Sequence, residues 1–138
     1  MPAADSNPAV AQISNAEAVY QHFGYWPDFH DAEIIKVTFE SHPGYRATVT
    51  FTLAAFEMTS ETDEKGFYKL VKHCKVEFLF TGIREMEFDY FGHQNVIFDL
   101  VFEEHNGAIQ GTFNSSVGLD AVVVAEEVAV LNLTATKR

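Results

Sequence analysis

The sequence predicts an α+β domain, with one N-terminal helix packed on a largely antiparallel, strongly twisted sheet of about seven strands. Three observations carry this. Apolar and polar residues alternate with period two through most of the chain after Glu33. One stretch only, "AEAVYQHF", has helix signals at both ends. The breaks between alternating runs are short, which suits strands that pair with antiparallel neighbours.

Residues 1–13 read as a flexible leader and residues 14–138 as a single domain. Ser14 and Glu17 in "SNAE" stand at capping-box spacing and start the helix. Gly24 stops it and Pro27 prevents its resumption. Ile35, Val37 and Phe39 then share a face opposite Lys36, Thr38 and Glu40. "HPG" (His42–Gly44) is a turn. Tyr45, Ala47, Val49, Phe51 and Leu53 alternate with Arg46, Thr48, Thr50 and Thr52 in the cleanest strand pattern of the chain. "FEMTSETDEKG" reads as a loop. Leu70, Cys74, Val76, Phe78 and Phe80 form the next apolar face, "TGI" breaks it, and Met86, Phe88 and Tyr90 alternate with Glu85, Glu87 and Asp89. Val96, Phe98, Leu100 and Phe102 follow. The Asn-Gly of "EHNG" suits the positive φ angles of a type I′ hairpin turn, after which "AIQGTFN" returns. "AVVVAEEVAVLNLT" is β-rich on both faces, which fits a central strand or two strands meeting at a bulge near Glu126.

Composition narrows the function classes. A chain of 138 residues that is 47% hydrophobic, with 13 Phe, forms one packed domain and not a disordered segment. The single Cys excludes an internal disulfide, and its alternation with Val76 and Phe78 makes Cys74 a small buried hydrophobe. The opening "MPAADSNPAVAQIS" has neither the basic start nor the apolar run of a signal peptide. No stretch approaches the roughly 20 apolar residues that cross a bilayer. The expected location is the cytoplasm.

A net charge of -11 disfavours nucleic acid and anionic membranes, which bind clustered Lys and Arg, and attracts a basic protein partner. The candidate partner surface is the set Glu57, Glu61, Asp63, Glu64, Glu103, Glu104, Glu126 and Glu127. Four of the nine basic residues, Lys65, Lys69, Lys72 and Lys75, sit together in "KGFYKLVKHCK". Elsewhere the surface is predicted to be strongly negative.

Three polar clusters are candidates for chemistry: "WPDFHDAE", "FGHQNV" and "SSVGLD", each at a strand entry. An enzymatic reading takes His30 and His93 with Asp31 or Asp120 as metal ligands or as a general-base pair. Against it, His30 and Asp31 point to opposite faces if already in a strand. The chain also lacks HxxxH, paired Cys, a G-x-S-x-G elbow and phosphate loops. A structural reading has these residues bond nearby backbone groups at strand ends, with a buried network linking His30, Asp31 and Asn95. In that reading Trp26 and Phe29 anchor helix to sheet, and Gly118 supplies a turn. A third reading places Tyr25, Trp26, Tyr90 and Phe91 on a binding surface.

Taken together, "FGYWPDFHDAEI", "FGHQNVIFDL" and "SSVGLDAVVVAEEVAVL" resemble, in order and spacing, the immunity protein 50 family of bacterial polymorphic-toxin systems. Trp26, Pro27, Phe29, His30, Asp31, Ala32 and Glu33 match its W-P-x-F-H-D-[AS]-E motif. His93, Gln94, Asn95 and Val96 match H-Q-N-V, and Gly118, Leu119 and Asp120 match G-L-D. The chain departs at Gly92, where the family often has Asn, and in the apolar "AVVVAEE" after Gly-Leu-Asp. The resemblance implies a non-enzymatic, cytoplasmic antidote encoded beside a toxin that it binds. It carries over no catalytic residue, cofactor or metal. The alternative is a small metal-dependent hydrolase or a ligand-binding protein using the His/Asp cluster.

Overall fold

A computed structural model, describing residues 7–42 and 45–137, shows the alternating segments closing on themselves. Among the described residues, two short helices, α1 (Pro8–Ala11) and α2 (Glu17–Phe23), precede six strands. These are β1 (Glu33–Glu40), β2 (Thr48–Thr62), β3 (Tyr68–Asp89), β4 (Val96–His105), β5 (Ala108–Val117) and β6 (Asp120–Ala135). All pair antiparallel in the order β1-β2-β3-β6-β5-β4, and the sheet closes as a barrel. Closure leaves fewer strand edges with unpaired backbone groups than an open sheet has. The α+β class and the twisted antiparallel sheet are as the sequence predicts.

Six strands stand where about seven were expected because Thr81-Gly82-Ile83 bends β3 without ending it. Pairing with β6 continues on both sides of that point, from Cys74 opposite Ala135 to Asp89 opposite Asp120. The predicted loop "FEMTSETDEKG" is shorter than expected: β2 runs on to Thr62 and pairs back onto β3, leaving only residues 63–67 as the connection. Its polar residues mislead because this two-stranded extension stands in water on both faces. β6 is one strand, whose buried phase changes at Glu126 and Glu127, both exposed. The Asn106-Gly107 turn forms as predicted, with φ of 49° and 79°. Pro43 and Gly44 of the predicted "HPG" turn lie outside the described residues.

The leader differs from expectation at its C-terminal half; residues 1–6 lie outside the described residues. Asn7 Oδ1 accepts from the N–H groups of Ala9 (2.9 Å) and Val10 (3.3 Å), capping α1, with Pro8 at the first helical position. Ala9, Val10 and Ile13 are buried, so this turn belongs to the core. The capping box is likewise overridden: α2 starts after Ala16 without a side-chain cap. Ser14 instead joins β6, its N–H donating to the Val128 carbonyl (3.0 Å) and its carbonyl accepting from Val130 (2.8 Å). Two strand-type bonds to a long strand outweigh one cap bond. Gly24 ends α2 in the left-handed conformation, as expected.

Aromatic rings fill the barrel. Phe51, Phe78, Phe80 and Phe113 are fully buried, and Phe51 stacks on Phe113 at 4.0 Å. Each such ring contributes up to about 3 kcal/mol by leaving water. Cys74 is buried among them, and burial pushes its thiol up to about 11, so it packs as a hydrophobe. On the β1–β2 ladder a register shift between Ile34 and Lys36 puts Ile34 on the inner face with Val37 and Phe39, opposite the buried Leu53, Phe51 and Val49. It leaves Ile35 exposed against expectation; Phe39 faces inward but is exposed at an open end of the barrel.

Candidate functional site

The stretch from Trp26 to Glu33 closes the barrel. After α2 the chain crosses to β4 and pairs with it through four backbone bonds. The N–H groups of Asp31 and Ile34 donate to the carbonyls of Ile97 (3.0 Å) and Asn95 (2.8 Å). Those of Ile97 and Leu100 donate to the carbonyls of Ala32 (2.9 Å) and Asp28 (2.9 Å). Regular ladder pairing between β1 and β4 is confined to Glu33 opposite Val96, so this irregular segment is the seam. It holds two non-glycine residues at positive φ, Phe29 (61°) and Asp31 (66°). Each costs about 1 kcal/mol or more and is held by its neighbours. Asp28 Oδ1 accepts from the His30 N–H (3.0 Å), and Ala32 N–H donates to the Phe29 carbonyl (3.0 Å).

The reward is placement of rings. Phe29 is buried and lies edge-on to Phe78 (5.6 Å) and Phe23 (6.0 Å). Trp26 is half-buried and meets Phe78 and Phe102, and Pro27 is buried beside it. Helix α2 and the seam therefore share one aromatic cluster with the barrel interior, which is the anchoring expected of Trp26 and Phe29.

His30 is exposed on the outer side of the seam. Its Nδ1 lies 2.9 Å from the Phe98 carbonyl. A carbonyl only accepts, so Nδ1 carries the proton and donates. Its Nε2 is 3.6 Å from Asp31 Oδ2. The two side chains thus meet, contrary to the opposite-face argument, because Asp31 sits in a turn and not in a strand.

The second and third clusters lock to each other. Asn95 is buried; its Oδ1 accepts from Gly92 N–H (3.0 Å) and Leu119 N–H (2.9 Å), and its Nδ2 donates to the Gly92 carbonyl (2.9 Å). Gly118, at φ 81°, passes so close that a Cβ there would lie 2.1 Å from the Gln94 carbonyl and 2.5 Å from Asn95 Oδ1. Only glycine fits this crossing. Asp120 Oδ1 accepts from Ser115 N–H (3.3 Å), and Ser115 Oγ donates to the Gly118 carbonyl (3.0 Å). The expected network joining His30, Asp31 and Asn95 through side chains does not form: Asn95 reaches the seam only through its backbone carbonyl. His93 and Gln94 are exposed. Among the described residues, no three His, Cys, Asp or Glu side chains gather in a way that would hold a metal ion.

Asp31 and Glu33 do line an open cavity of about 230 Å³, facing His73, Cys74 and Lys75. A larger apolar opening, of about 300 Å³, lies between the ends of β1 and β3 and is lined by Val37, Phe39, Phe88, Phe91 and Leu119. Sequence reasoning missed it, because alternation marks Phe39 and Phe88 as inward-facing without showing that the wall beside them is open.

The acidic candidates occupy several unlike environments. Glu57 accepts from Tyr25 Oη (2.8 Å) and pairs with Lys72 (3.2 Å). The Tyr25 bond leads in holding its carboxyl below the usual range, while burial above all pushes the Tyr25 phenol up to about 12. Lys72 also donates to the Phe23 carbonyl at the end of α2 (2.8 Å), so Glu57 belongs to a bridge between helix and sheet. Glu126 and Glu127 both hold Arg46, at 3.2 Å and 3.1 Å. The hydrogen bonds of Arg46, that to Tyr45 foremost, raise its pKa further. Asp63 shapes the β2–β3 turn by accepting from Lys65 and Phe67 N–H groups, and Glu104 accepts from Gln12 Nε2. Glu61, Glu64 and Glu103 are exposed.

Residues 15–135 match the family model described as immunity protein 50. No curated protein matches the chain. A solved structure, the crystal structure of an uncharacterized protein from Neisseria gonorrhoeae, superposes with a TM-score of 0.45 at 15% identity, covering 76% of this chain and 91% of that one.

Proposed function

This chain belongs to the immunity protein 50 family, and on that premise we propose that it is a non-enzymatic antidote that binds and neutralises a cognate bacterial toxin domain in the cytoplasm. The observation that carries this reading is the family match across residues 15–135. The geometry supports it: Asn95, Asp120, Asp28 and His30 bond backbone groups at the seam and strand ends. That work is structural and presents a rigid barrel to a partner.

The partner is a basic protein, such as a nuclease domain. A net charge of -11 steers a positively charged toxin toward the barrel and repels nucleic acid and anionic membrane. No helix among the described residues is long and apolar enough to cross a membrane.

The experiment uses the toxin domain encoded beside this gene. Co-expression is expected to restore growth, and the association rate is expected to fall about tenfold or more between low and high salt. Growth arrest despite folded antidote would refute the reading. A salt-independent rate would remove only its electrostatic part.

A further inference from the structure

We propose that the apolar mouth between β1 and β3 is the anchor point for the toxin, receiving one large apolar side chain from a segment that carries Lys or Arg beside it. This rests on the antidote reading and assigns it a surface.

The mouth exists because the two strands flanking β2 differ in reach. β2 begins at Thr48, opposite Thr81. Gly82 N–H still donates to the Ala47 carbonyl (3.0 Å). From Ile83 to Asp89, β3 is paired with β6 on one side and open toward the end of β1 on the other. Two cavities follow this gap and share Phe39. One, of about 300 Å³, is lined by apolar residues that include Val37, Phe88 and Leu119. The other, of about 280 Å³, runs on past Ile83 and Met86 to Glu40. Phe39 lies edge-on to Phe88 at 5.1 Å, and Phe88 stacks on the buried Phe51 at 5.7 Å. A side chain entering here therefore extends the aromatic core.

Water now covers what such a side chain would cover. Phe39 is 55% exposed, Met86 49% and Phe91 67%. A contiguous apolar patch of this kind on a soluble barrel marks an interaction site. A pocket that takes one anchor, ringed by weaker contacts, is the arrangement that concentrates binding energy.

Charge selects the occupant. Glu40 lines the mouth. Glu85, Glu87 and Asp89, with Asp120 opposite Asp89, stand on the outer face, away from Phe88 and Leu119. They act only through the negative field around the opening, where they outnumber Lys36. None of the described residues lining either cavity is Lys or Arg. Arg46 is held by Glu126 and Glu127, and Arg84 donates to the Asn106 carbonyl. Lys36 stands on the other side of β1 from Val37 by strand alternation. An acidic segment would be repelled here, and a basic one attracted.

The test measures affinity for the toxin domain encoded beside this gene. Wild type, Phe39→Glu, Met86→Glu and Phe91→Glu are compared with Tyr68→Glu, a control on the exposed β2–β3 hairpin. The mouth variants are expected to weaken binding about 30-fold or more, and the control less than about threefold. Wild-type binding in every mouth variant would overturn this surface and leave the antidote reading standing. No binding by wild type would end both. A wild-type dimer dissolved by Phe39→Glu would give the mouth to a second copy and overturn the proposal. If a variant unfolds, hydrogen exchange on the wild-type complex decides: protection at residues 37–40 and 86–91 is expected, and its absence refutes the assignment.

Discussion

Gly118→Ala is expected to destabilise the protein by about 3–5 kcal/mol, lowering its thermal midpoint by roughly 10 °C or more. Two penalties combine. At φ 81° an L side chain is strained wherever it sits. The added carbon would also meet the Gln94 carbonyl at 2.1 Å and Asn95 Oδ1 at 2.5 Å, so backbone must move. That movement pulls Leu119 N–H away from Asn95. Chemical denaturation monitored by circular dichroism measures the change; a loss under about 1 kcal/mol would mean that the crossing is loose.

Asn95→Ala is expected to cost about 3 kcal/mol or more by the same measurement. It deletes three hydrogen bonds and strands the Gly92 and Leu119 N–H groups beside a buried position. Because Gly118 and Asn95 form one crossing, the two effects should not add. The double variant is expected to fall short of the sum by about 1 kcal/mol or more, since Ala at position 95 removes one of the two clashing oxygens. Additive losses would show that the two elements are held independently.

Much of the fold was legible in residue alternation, and the exceptions share a cause. The Cys74–Phe80 face, the Gly24 stop and the Asn106-Gly107 turn depend on local chemistry and came out as read. On β4, by contrast, register shifts at Ile97 bury that residue and leave Phe98 exposed against expectation. What sequence could not supply was long-range pairing. Ser14 lost its cap because β6 offered it a strand partner more than 100 residues away. "FEMTSETDE" looked like a loop because the β2–β3 extension is wet on both faces. The leader looked loose because its buried residues, Ala9, Val10 and Ile13, are few and small.

The candidate site was legible as a set of residues and not as a geometry. Spacing brought out Trp26–Glu33, His93–Val96 and Gly118–Asp120. It left undecided whether they converge on a ligand or lock strand ends. Asn95 and Gly118 lock to each other, and His30 bonds the Phe98 carbonyl. The apolar mouth was hidden because whether an alternating aromatic is buried or exposed depends on where its neighbouring strand begins.

The central claim is that the seam chemistry is structural and that function resides in toxin binding. The most direct measurement pairs toxin affinity with toxin neutralisation for His30→Gln at matched folded fraction. The account predicts wild-type values for both, with stability lowered by about 1 kcal/mol at most. Neutralisation abolished while folding and affinity stay intact would contradict it, because the imidazole would then be acting on the toxin or on its substrate.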